Sequence, residues 1–92
     1  MTEIIPKGPP GEFSVCQFFL DGKYEYVRKF VAVEEAILTF KFYTTNVTAR
    51  VGITKRVILT DGDDCINMEW KYGEGITFPP ELKGRDNVNS ES

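Results

Sequence analysis

The chain has 92 residues, of which 41% are hydrophobic and 27% charged. These are the proportions of one globular domain, too apolar for a disordered chain and too short for two domains. With no His and a formal net charge of −3, it lacks the commonest general base and metal ligand, and the basic stripe that nucleic-acid binding draws on.

Residues 1–11 hold Pro6, Gly8, Pro9, Pro10 and Gly11, a spacing that no regular element survives, and they read as an extended lead-in. Residues 12–20, rich in aromatic and β-branched side chains, read as a strand. Asp21-Gly22 favours a type I′ hairpin turn, and residues 23–31 form the returning strand. Along the first strand Phe13, Val15 and Phe19 should face one way, and Cys16, Phe18 and Leu20 the other.

A helix is predicted over residues 33–51. Glu34 and Glu35 lie in its first turn, Arg50 in its last, and Gly52 sits where a left-handed cap is favoured. Val33, Ile37, Phe40, Thr44, Val47 and Val51 recur at the helical period and should make its buried face. Because Thr39, Thr44, Thr45 and Thr48 are mediocre helix formers, packing rather than propensity must hold it.

Residues 54–60 form the next strand, Asp61-Gly62-Asp63-Asp64 a turn, and residues 65–72 the return. Ile66, Met68, Trp70 and Tyr72 should point to one side, with Cys65, Asn67, Glu69 and Lys71 on the other. After Gly73-Glu74-Gly75, residues 76–78 suit a short edge strand, and residues 79–92 form a polar, proline-led tail. The folding unit is residues 12–78, a two-layer α+β domain in ββαββ order. One helix packs on a four-stranded sheet, five-stranded with residues 76–78, that is mainly antiparallel.

No motif in the chain carries chemistry with any specificity. Asp61, Asp63 and Asp64 lack the spacing and the late bidentate Glu of a calcium loop, and suit a tight reversal instead. Cys16 and Cys65 stand 49 positions apart with no C-x-x-C pair and read as reduced thiols packing as small hydrophobes. With no secretory signal in residues 1–7, they imply a cytoplasmic protein, which makes the sequon Asn46-Val47-Thr48 a chance match. Glu25 and Glu69 are strand acids that nothing in the spacing pairs for acid/base work. Gly73-Glu74-Gly75 has no phosphate-loop context. We therefore expect no catalytic residue, no metal, no cofactor and no enzymatic activity.

One physical mismatch stands out. The first strand is apolar on both sides, whereas a lone helix covers one face of a sheet. Leu38 and Phe42, spaced i,i+4, are rotated away from Ile37 and Phe40. A non-enzymatic interaction module follows, with a homodimer or a protein partner docking on Leu38, Phe42, Phe18 and Leu20. The alternative cover is the chain's own ends, with Ile4, Ile5, Ile76 and Phe78 as plugs. A second reading is a small-molecule pocket between helix and sheet, lined by Phe40, Tyr43, Trp70 and Tyr72. A third is a weak single-stranded nucleic-acid binder using the aromatics around Trp70-Lys71-Tyr72; the acidic charge balance and the core-like alternation of that strand oppose it.

Overall fold

A computed structural model describes residues 9–82. The strands are β1 (Pro10–Phe19), β2 (Tyr24–Val31), β3 (Thr54–Thr60), β4 (Ile66–Lys71) and β5 (Gly75–Phe78). They form one antiparallel sheet in the order β2-β1-β3-β4-β5. Helix α1 (Val33–Thr45) and the single turn α2 (Val47–Arg50) lie between β2 and β3 in the chain and pack on one face of the sheet. The α+β class and ββαββ order are as expected, with β5 as the added edge strand. Ile4 and Ile5 lie outside the described residues, as do most of the lead-in and tail.

Both hairpins turn through three residues. Leu20-Asp21-Gly22 closes with Phe19 N–H donating to Lys23 O at 2.8 Å and Gly22 N–H to Phe19 O at 2.9 Å. Gly22 alone takes a positive φ, +90°, so the turn is not the type I′ form, which needs positive φ at both central residues. The extra residue takes Leu20 out of the strand into an exposed position, where its N–H donates to Ile53 O. At the second turn the left-handed residue is Asp64, at φ +62°.

The expected continuous helix is broken at Asn46, whose backbone is extended (φ −75°, ψ −179°). Two local competitors account for the break. Thr44 and Thr45 hydroxyls donate back to Lys41 O at 3.1 and 2.7 Å; the Asn46 carboxamide accepts from Ala49 N–H at 3.0 Å and starts α2 as its N-cap. The break also re-phases the buried face. Glu35, Ala36, Thr39, Phe40, Thr44 and Ala49 are buried, whereas Val33, Val47 and Val51 are exposed. Small side chains at Ala36 and Ala49 let the helical layer approach the sheet closely, which a reading weighted toward large apolar residues overlooks.

The core lies between helix and sheet: Val15, Ala36, Phe40, Ala49, Val57, Leu59, Trp70 and Ile76, with Phe13, Val27 and Met68 at its margin. Ile76, expected as a plug for the far face, is thus a helix-side core residue. Glu35 is buried beside this core because Arg28 Nε donates to its carboxylate at 2.9 Å. Gly11 is required where β1 meets the end of β2, since a Cβ there would stand 2.4 Å from Val31 O. Among the described residues no helix is long and apolar enough to cross a membrane.

Candidate functional site

Among the described residues no other element covers the sheet face opposite the helices. Register and alternation place two rows of side chains on it: Tyr26, Cys16, Ile58 and Glu69, then Tyr24, Phe18, Arg56 and Lys71. The rings of Phe18, Tyr24 and Tyr26 form a chain, with centroids 5.8 and 6.3 Å apart. Arg56 lies over the Phe18 ring at 4.9 Å and Lys29 over the Tyr26 ring at 4.8 Å. These long side chains shelter the apolar centre, leaving Cys16 2% and Ile58 9% exposed. What reaches solvent is the aromatic rim: Tyr24 is 62% and Tyr26 45% exposed.

The charges of this face are biased by end, with Lys29 beside the acidic turn. Arg56 donates to Glu69, and Thr77 Oγ1 donates to the other oxygen of that carboxylate at 2.7 Å. Partial burial pushes the Glu69 carboxyl up, but the hydrogen bonds from Thr77 and Arg56 and the charges of Arg56 and Lys71 outweigh it. The net result is below the ordinary carboxylate value. At the opposite end stands the acidic β3–β4 turn. Asp61 builds that turn: Oδ1 accepts from the N–H groups of Asp63 and Cys65 at 2.9 and 3.1 Å, and Oδ2 from Asn67 at 3.1 Å. The Asn67 side-chain bond first, then the backbone bonds, hold the Asp61 carboxyl below its ordinary value. Glu12 adds a further acid there, accepting from Gly62 N–H at 3.3 Å. A small hollow of about 160 Å³ beside the turn is lined by Ser14, Tyr26, Lys29, Phe30 and Thr60 among others.

The residues singled out from sequence do not all converge. Phe18 lies on the open face, Leu20 at the hairpin tip, and Leu38 and Phe42 on the helical layer across the sheet, with the Phe42 ring edge-on to Tyr43 at 5.0 Å. Tyr24, Tyr26, Lys29 and Arg56 were not singled out. The i,i+2 spacing of Tyr24 and Tyr26 on a strand was the signal available.

A separate cavity of about 540 Å³ opens where α1 ends, lined by Thr44, Thr45, Ala49, Arg50, Trp70, Tyr72 and Gly73. Of the four residues named for a pocket, Trp70 and Tyr72 are in this lining and Phe40 and Tyr43 are not. Phe40 is fully buried in the core, and Tyr43 packs at the core margin. Tyr72 stands just past β4 beneath Gly52, whose positive φ of +89° and ring contact near 3.2 Å at a Cβ position both call for glycine.

The remaining groups with potential chemistry are occupied or apart. Glu25 stands opposite Gln17 on the helix side and accepts from its carboxamide at 3.2 Å. Three strand spacings, about 14 Å, separate it from Glu69 on the other face, beyond the span of a carboxylate pair. Burial pushes the Cys16 thiol up, so it stays protonated. Among the described residues no three His, Cys, Asp or Glu side chains are grouped to hold a metal ion. Comparison with protein families, with curated proteins and with solved structures finds no match to this chain.

Proposed function

We propose that the protein is a non-enzymatic interaction module that pairs with a second copy of itself through the sheet face opposite the helices. The observation that carries this reading is the solvent-facing rim of Tyr24 and Tyr26 on a face that no described element covers, with an acidic turn at one end and Arg56 and Lys71 at the other. Tyr and Arg are the residues that interfaces favour. A two-fold axis lying in the interface across the strands sets the acidic turn of one copy over the cationic end of its partner, so the face complements itself.

Five strands about 4.8 Å apart, with about seven residues each at about 3.3 Å, make a face of roughly 24 by 23 Å. That is smaller than the about 800 Å² per partner of a standard interface. Pairing is therefore weak and concentration-dependent. Two free thiols, Cys16 buried and Cys65 exposed, support a reducing compartment, the cytoplasm, as its place of work.

The test is light scattering after size exclusion over a concentration series. The mass should climb from the 10.5 kDa of one chain toward twice that value. Tyr24→Glu/Tyr26→Glu should hold it at one chain, and Phe42→Glu should leave it dimeric. A single-chain mass at every concentration overturns the proposal. Loss of the dimer in Phe42→Glu alone moves the interface to the Leu38/Phe42 flank.

A further inference from the structure

The cavity at the end of α1 carries an inference independent of pairing. Its floor is Trp70, which is 5% exposed and whose Nε1 has no hydrogen-bond partner among the described residues. A buried donor left without an acceptor is costly, and native structures retain few of them. The same cavity holds one cation, Arg50, and no carboxylate. Arg50 Nε donates to Thr45 O at 3.1 Å, which anchors the guanidinium at the helix end; its two Nη groups have no partner among the described residues. Space is left by Ala49 and Gly73, where a Cβ on Gly73 would meet nothing within 4 Å. At about 540 Å³ the cavity falls within the range of small-molecule sites.

From this geometry we infer that the cavity is a binding site for a small planar aromatic carboxylate. The ring lies against Trp70 and Tyr72, and the carboxylate meets the free amines of Arg50, whose planar fork matches it.

The chain has one Trp, so its indole N–H gives a single nitrogen–proton NMR resonance that reports this donor directly. The full-length, nitrogen-15-labelled protein is titrated with 1-naphthoate and, in parallel, with neutral 1-naphthamide. Naphthoate should move the indole resonance and saturate. Naphthamide should bind at least about tenfold more weakly, the loss of one charge-assisted contact. Arg50→Gln, on the exposed side of α2, should reduce naphthoate to the level of the amide while the remaining resonances keep their positions. Three results overturn the inference: an indole resonance that neither compound moves, equal binding of acid and amide, or full naphthoate affinity in Arg50→Gln. A variant spectrum that collapses is replaced by Arg50→Lys, which keeps the charge without the fork and should bind naphthoate at intermediate strength; affinity equal to wild type in Arg50→Lys overturns the role of the fork.

Discussion

Replacing Arg28 by Met tests the ion pair to Glu35 that joins the edge of the sheet to the helix. Arg28 Nε meets the Glu35 carboxylate at 2.9 Å, and the two side chains are 17% and 5% exposed. An exposed pair would contribute about 1 kcal/mol at most. Here the cation's removal takes the Arg28 Nε–H donor from a carboxylate that is 5% exposed in the first turn of α1, and breaking a buried pair in this way costs about 3–5 kcal/mol. A domain of this size has about 5–14 kcal/mol of stability in total, so Arg28→Met should remove a large share of it. Urea unfolding followed by the fluorescence of Trp70 reads the loss as a fall in midpoint of at least about 1 M. The double variant Arg28→Met/Glu35→Leu removes both charges and should recover most of the deficit, because an apolar pair of similar volume packs without an ion to desolvate. A loss below about 1 kcal/mol in the single variant, the ceiling for a solvated pair, would refute the reasoning. So would a double variant no more stable than Arg28→Met.

Two further outcomes follow from the same structure. Glu69 and Asp61 have carboxyls below their ordinary values of 4.5 and 3.8. A depressed folded value contributes stability that is present above the unfolded value and lost as the pH falls through the folded one. Stability should therefore decline as the pH drops below about 4.5, and Glu69→Gln should flatten that decline; an unchanged acid profile in the variant contradicts the assignment. Of the two thiols, Cys65 is exposed and Cys16 is buried with its thiol pushed up. One equivalent of a disulfide reagent should react at once in the native protein, and the second only in denaturant. Two fast equivalents would contradict the burial of Cys16 at the centre of the open face.

What could be read from the sequence was local. Asp21-Gly22 and the Asp61–Asp64 cluster mark both hairpins because turn chemistry is carried by the residues that make it. The number of residues in each turn was not legible, since it depends on how the flanking strands pair. The pairing of β1 with β3 (Cys16 opposite Ile58, Phe18 opposite Arg56) joins segments about 40 residues apart, and no local pattern encodes it. The break at Asn46 was written in the threonines and the Asn itself, yet the apolar period running on through Val47 and Val51 masked it. At the candidate sites, the two-sided apolar character of Phe13–Phe19 pointed to an uncovered face. Tyr24 and Tyr26 occupy that face beside Phe18 only through the β1–β2 register. Trp70 and Tyr72 were legible as pocket residues, whereas Arg50 becomes a cavity residue through the turn that Asn46 starts.

The central claim is that the open face is the surface through which two copies meet, and backbone amide resonances followed over a dilution series test it most directly. The account predicts that dilution moves the resonances of Phe18, Tyr24, Tyr26 and Ile58 together along one binding curve, while Leu38 and Phe42 on α1 stay in place. Resonances on the sheet face that hold still over the whole series, or concerted movement confined to α1, would contradict it.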